Sequence, residues 1–304
     1  MKIYNHYVNG KEMEPNSKKY FETENPYTCE KWAKIAKGDM HDVNIAVNVA
    51  KDAFEKKWSK TKPTERGKLL VKLAELVERD FQRLGEIEVQ DNGKLIAEMG
   101  AQTKYLAEWY RYFGGLADKV EGSVLPSDKP GIFNYTKYEP YGVIGMITAW
   151  NSPLLLLSWK LAPALAAGNT AVIKPSEFTS ASTLEFMKLI SEAGFPDGVV
   201  NCVTGMGIDV GQPLVEHKHI SKIAFTGSDV SGQKIYETAA KKIANPEQIR
   251  KVSDSHKKNW RYQWDINEAR KMVLRTHTTC VTIKHLAENK PDEARIFSLG
   301  RVFR

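Results

Sequence analysis

The sequence predicts an α/β fold: a doubly wound parallel sheet preceded by a helical shell. Two observations predict it. From Tyr141 to Ile243, short apolar runs alternate four times with segments of helix length, as in β–α units whose parallel strands are buried on both faces. Between residues 40 and 115, apolar residues recur at helical spacing without strand-like alternation.

The elements follow in order. Residues 7–36 alternate short β-prone runs with turn residues, and Val8-Asn9-Gly10-Lys11 carries the Asn-Gly hairpin signal. A helix comes next, with Asp42 as its cap and Ala46, Val49, Ala50, Ala53, Phe54 and Trp58 on one face; Pro63 breaks it. Leu69, Leu70, Leu73 and Val77 stripe a second helix, and Asn92-Gly93 closes the next. Another runs through Tyr105, Leu106 and Trp109 to Gly114-Gly115, and residues 133–138 read as a strand closed by Pro140. The four β–α units then pair strand 143–148 with a helix from Pro153, 170–173 with 180–193, 199–203 with 208–216, and 220–225 with 229–242. Such a sheet places ligands at the carboxyl ends of its strands. After Ile243 the pattern stops and no fifth strand is evident.

Composition narrows the function classes. A chain of 304 residues with 42% hydrophobic and 27% charged residues reads as globular, with room for a sizeable core. No apolar run reaches bilayer-spanning length, and residues 1–6 lack the apolar core of a signal peptide, so a cytoplasmic protein without a membrane role is expected. Cys29, Cys202 and Cys280 are too few and too scattered for a disulfide framework or a zinc site, so no metal is expected. The net charge of +7 is uneven. Residues 244–304 hold 13 Lys and Arg against 7 Asp and Glu, and only Gly300 of the 21 glycines. Two kinds of sequence therefore meet near residue 243, dividing the chain into 1–243 and a basic tail, 244–304. The tail's basic residues show no single-face spacing, which favours a solvated segment over a nucleic-acid surface.

Three strand ends carry candidate chemistry. In Ile147-Thr148-Ala149-Trp150-Asn151-Ser152-Pro153, the amide of Asn151 sits where a strand gives way to a helix and can donate to an oxyanion. The plainer alternative is that Asn151 or Ser152 only caps the helix. In Lys174-Pro175-Ser176-Glu177, a carboxylate after the second strand can accept hydrogen bonds from ribose hydroxyls and repels a 2′-phosphate, favouring NAD over NADP. A surface turn with a capping Ser176 would look the same. In Phe225-Thr226-Gly227-Ser228, glycine admits a pyrophosphate to the backbone and the following helix N-terminus favours the anion. Gly207 and Gly211 lie in a glycine-rich turn that misses the G-x-G-x-x-G spacing by one residue.

In this order, Tyr141-Gly142-Val143-Ile144-Gly145, Trp150-Asn151, residues 161–169, Lys174-Pro175-Ser176-Glu177, Gly194-Phe195-Pro196 and Phe225-Thr226-Gly227-Ser228 resemble the aldehyde dehydrogenase superfamily, over residues 1 to about 243. The resemblance implies a dinucleotide-binding sheet, with Asn151 in the oxyanion hole, Lys174 and Glu177 on the adenosine ribose, and Ser228 on the pyrophosphate. It makes Ile147 and Trp150 backbone neighbours of NAD, places Thr148, Ser176, Phe225, Thr226 and Gly227 among the cofactor contacts, and implies a dimer or tetramer. The family reaction is attack of a cysteine thiolate on an aldehyde, hydride transfer to NAD, and hydrolysis of the thioester by glutamate-activated water. Ser152 stands where the family commonly has an aromatic residue, which implies a wider or more polar substrate tunnel.

Past Ile243 the resemblance ends. The family continues with Glu-Leu-Gly-Gly, whose glutamate is the base, and Gly-Gln-x-Cys, whose cysteine is the nucleophile; neither motif occurs in this chain. Cys280 lies at the family distance from Asn151, but Thr278-Thr279-Cys280-Val281 does not match. An incomplete aldehyde dehydrogenase fold without turnover is therefore expected. An active oxidoreductase with an unorthodox tail, and a binding protein acting through NAD or the basic tail, are the alternatives. A frameshift, a mis-joined exon or a fusion would each produce the break.

Overall fold

The computed structural model describes residues 1–243. The chain opens on five short strands: β1 (Lys2–Tyr4), β2 (His6–Val8), β3 (Lys11–Met13), β4 (Tyr20–Asn25) and β5 (Glu30–Ala36). Asn9 and Gly10 both adopt positive φ, 56° and 77°, so the two-residue turn between β2 and β3 forms as the Asn-Gly signal predicts. β1, β5 and β4 form a separate three-stranded sheet.

Three helices make the shell: α1 (Met40–Lys56), α2 (Pro63–Asn92) and α3 (Ile96–Leu116). The cap of α1 is Asp39 rather than Asp42; Asp42 reaches back to the Asp39 amide, completing a capping box. Pro63 opens a helix instead of only ending one, because a missing N–H costs nothing in the first turn. The second helix and the next are one 30-residue element, α2, ended by Gly93 at φ 72°. α2 and α3 cross closely: a Cβ on Gly67 would stand 2.5 Å from the Gly114 carbonyl. The strand expected over 133–138 shrinks to β7 (Asn134–Tyr135), paired with β6 (Val124–Leu125) in a hairpin exposed throughout, where no core face sustains a longer strand.

The four β–α units follow as expected. They are β8 (Val143–Ile147) with α4 (Pro153–Ala166), β9 (Thr170–Lys174) with α5 (Ala181–Ala193), β10 (Val200–Cys202) with α6 (Gln212–Glu216), and β11 (Ile220–Phe225) with α7 (Asp229–Ile243). The helix read from 208 to 216 is split. Residues Gly207–Gly211 form one π-turn, in which the Gln212 amide donates to the Gly207 carbonyl, before α6 begins. Pro213 has no N–H to give the Asp209 carbonyl, so the regular ladder cannot run through.

Strands β11, β8, β9 and β10 are parallel, and the sheet continues antiparallel through β2 and β3. The sheet is therefore mixed, with the N-terminal hairpin as its far edge. Its core includes Met146, Leu157, Ile173 and Phe186, all fully buried. Tyr110 of α3 stacks on Phe186 of α5 at 5.8 Å and accepts a hydrogen bond from Ser158 of α4 at 3.0 Å, tying the shell to the sheet's helices. Residues Met1–Thr238 form one compact unit, and a second begins at Ala239.

Candidate functional site

The register of the parallel strands aligns their carboxyl ends. Phe225 of β11 pairs with Ile147 of β8, and Ile147 pairs with Lys174 of β9. The ladder runs one step beyond the strands: the Thr226 amide donates to the Ile147 carbonyl at 3.0 Å, and the Thr148 amide to the Lys174 carbonyl at 3.3 Å. Three loops, 148–152, 175–180 and 226–228, thus leave one edge side by side. This is the crevice position where doubly wound sheets take ligands.

At the β8 end, Ile147 and Thr148 are buried, while Trp150 and Asn151 are exposed. The Thr148 hydroxyl is buried and has no partner among the described residues. Asn151 does not cap α4. Ser152 holds the N-cap position, yet its hydroxyl makes no cap bond; it is buried and lies 3.4 Å from Lys94 Nζ.

At the β9 end, Lys174 is buried and its ammonium lies 2.7 Å from Glu177, which is 29% exposed. Burial pushes the Glu177 carboxyl up, and the charge and hydrogen bond of Lys174 more than offset this, holding it below its ordinary value. The pair leaves Glu177 ionised at neutral pH with open acceptor positions. Ser176 accepts from the Phe178 amide at 3.3 Å in a local turn, and the α5 N-cap is Ser180 instead.

At the β11 end, Ser228 caps α7, accepting the Ser231 amide at 3.2 Å. A Cβ on Gly227 would stand 2.4 Å from the tip of the Phe225 ring, so a larger residue there would require the ring to move. Gly207 is exposed and Gly211 buried in the π-turn after β10.

One half-buried cation lies beside the β11 end without a role in the sequence motifs. Lys160 of α4 donates to the Leu156 carbonyl at 3.1 Å and to the Thr226 hydroxyl, and burial lowers its ammonium to about 8. Its signal was present: it is the only charged residue in Pro153–Ala166. Cys202 is fully buried at the end of β10 and burial pushes its thiol up, so it is a core residue; Cys29 is exposed in a loop. Cys280 lies outside the described residues. Among the described residues, no group of acidic, His and Cys side chains could hold a metal ion, and no helix is long and apolar enough to cross a membrane.

The fold and this edge define a doubly wound domain whose parallel strands end side by side. Residues 13–248 match the model of the aldehyde dehydrogenase family, and the chain belongs to that family. It is 46% identical over 245 residues to (Z)-2-((N-methylformamido)methylene)-5-hydroxybutyrolactone dehydrogenase of Acinetobacter baylyi, covering 80% of this chain and 50% of that protein. It is 45% identical to horse (Equus caballus) aldehyde dehydrogenase 1A1, covering 77% of this chain and 47% of that protein. Among solved structures, an NAD+ complex of an aldehyde dehydrogenase from Bacillus cereus superposes with a TM-score of 0.78 at 39% identity, over 80% of this chain and 50% of that one. The chain thus spans about half the length of the curated relatives it matches. Residues 216–304 match a second model, the tRNA synthetase class II core domain (F). The motifs of the sequence assign residues 244–304 to no family.

Proposed function

We propose that residues 1–243 carry the nucleotide-binding half of an NAD-dependent aldehyde-oxidising enzyme, and that this chain by itself does not turn over. The observation that supports the reading is the aligned edge of Ile147, Lys174 and Phe225, with the ionised Glu177 beside it. Lys174 and Glu177 would take the adenosine ribose hydroxyls, with Ser176 in the same turn. Ser228, Thr226 and Gly227 would face the pyrophosphate at the start of α7, with Gly207 and Gly211 along the neighbouring turn. Trp150 and Ile147 would flank the nicotinamide side. NAD, when bound, supplies a hydride acceptor. Asn151, exposed and making no side-chain hydrogen bond to another described residue, is free to donate its amide to an aldehyde oxygen. The base and the nucleophile of the family reaction have no matched residue in this chain.

Two titrations test this. NAD is expected to bind more tightly than NADP, and Glu177→Gln is expected to erase the preference; equal affinities for both nucleotides in the wild-type chain would count against the ribose assignment. Purified chain is expected to form no NADH from a panel of aldehydes, and NADH formation abolished by Cys280→Ala would sink the inactivity proposal.

The synthetase match favours a second reading, which concerns the tail alone: residues after 243 come from a different protein, joined by fusion. A frameshift reads codons out of phase and would not be expected to yield a stretch that fits a protein family. Sequencing the transcript across the join decides it. One continuous frame agrees with fusion; Glu-Leu-Gly-Gly and Gly-Gln-x-Cys recovered in another frame after codon 243 would mark a frameshift.

A further inference from the structure

The two helices that leave the centre of the candidate site start without caps of their own. α4 follows the Trp150-Asn151 turn and α5 follows the Lys174–Glu177 turn, yet neither Ser152 nor Ser180 offers its hydroxyl to the helix amides. Ser180 donates instead to the Ser176 carbonyl at 2.8 Å. Buried N–H groups at these helix starts still require acceptors. They find them on α2. Glu88 Oε1 accepts the Leu154 amide at 2.8 Å. Asp91, three residues on and so on the same helix face, accepts the Ala181 amide at 3.0 Å through one oxygen and the Thr23 hydroxyl at 2.9 Å through the other. Around them, Asn92 Nδ2 lies 3.5 Å from the Asn151 carbonyl, and Lys94 Nζ reaches Ser152. Glu88 and Asp91 are 1% and 3% exposed. Burying two carboxyls on the packed face of a helix is costly. The hydrogen bonds they accept go to the starts of the two helices whose preceding loops form the site.

We propose that Glu88 and Asp91 are positioning residues of the nucleotide site: from one turn of α2 they fix the first turns of α4 and α5, and through them the spacing between the 148–151 and 174–177 loops. This rests on the nucleotide reading above. The two loops belong to different β–α units, and only backbone ladder bonds join them directly. The shared anchor makes a displacement of one loop a displacement relative to a common frame, and preorganised loops bind with less ordering cost.

Amide exchange and NAD titration on the full chain test it, with Glu88→Ala, Asp91→Ala and the acceptor-retaining Glu88→Gln and Asp91→Asn. Removing an acceptor leaves a buried amide unpaired at about 1–3 kcal/mol, so Glu88→Ala should speed exchange at Leu154, and Asp91→Ala at Ala181, by roughly tenfold or more. Exchange at Leu73, in the core of the same helix, should be unchanged. NAD affinity should fall about tenfold in both alanine variants and stay within about threefold of wild type in the Gln and Asn variants. Alanine variants with wild-type exchange at Leu154 and Ala181, or with all amides accelerated equally, overturn the proposal. So do alanine variants that loosen those amides and still bind NAD as wild type. A wild-type chain that binds no NAD overturns the nucleotide reading instead, and the exchange data then decide the anchoring alone.

Discussion

The join between β11 and α7 and the joins that open α4 and α5 solve the same problem in opposite ways. At the first, Ser228 caps the helix that follows it, accepting the Ser231 amide at 3.2 Å, and the cap is written in adjacent residues. At the other two, serines stand in the N-cap positions and do not cap; the acceptors are Glu88 and Asp91, 66 and 90 residues away in the chain. A locally capped helix can form with its own loop. A remotely capped one acquires its first turn only when the shell has docked. The difference makes α2 part of the candidate site, although none of its residues lies on the strand edge.

The largest effect that separates the two kinds of join is a dependence on pH. Burial pushes both Glu88 and Asp91 up to about 7, from ordinary values of 4.5 and 3.8. Asp91 and Lys94 face Glu88 with opposing influences, and Thr23 and the Tyr4 phenol face Asp91. Between about 4.5 and 7 the folded chain therefore binds protons that the unfolded chain releases, and stability rises as pH falls through that window, by about 1 kcal/mol per pH unit for each group. The opposite sign holds for Glu185. Burial raises it, but Lys2, Lys188 and Arg83 outweigh burial and hold it at about 2. Its contribution is present above the ordinary value of 4.5 and is lost as pH falls toward 2. Thermal melts of the full chain from pH 8 to 5 should show a rising Tm, flattened in the Glu88→Gln, Asp91→Asn double variant. A Tm that falls over the same range in wild type would break the comparison.

A smaller effect marks the local cap. Ser228→Ala should destabilise α7 by about 1 kcal/mol, seen as faster exchange at Ser231 with no change at Leu154 or Ala181. The smallest belongs to the serine that only looks like a cap. Ser152→Ala loses a 3.4 Å contact with Lys94 and should change stability by no more than about 0.5 kcal/mol. A loss as large as that of Ser228→Ala would mean that Ser152 caps α4 after all.

What was legible in the sequence follows the same division. The four β–α units, the hairpin at Asn9-Gly10 and the strand-end motifs are local, and each was readable from neighbours in the chain. The pairing of β2 with β10 joins Tyr7 to Cys202, and nothing within His6–Val8 announces a partner so distant. Residues 208–211 read as ordinary helix because the effect of Pro213 falls on a carbonyl four residues before it. Ser152 and Ser180 have the right residue type in the right place, and a local reading cannot see that the amides are already taken. Glu88 and Asp91 did leave a trace: acidic residues at i and i+3 continuing the stripe of Leu70, Leu73, Val77 and Leu84. A charged pair on a buried stripe is worth following, as Lys160 is in α4.

The most direct test of the account asks where NAD makes contact. Amide exchange of the full chain, with and without saturating NAD, reads each strand end separately. Protection over residues 147–151, 174–177 and 225–229, with residues 117–139 of the exposed hairpin unchanged, is the predicted result. Nucleotide binding that leaves those three segments unprotected would contradict the assignment of the site to the carboxyl edge of the sheet.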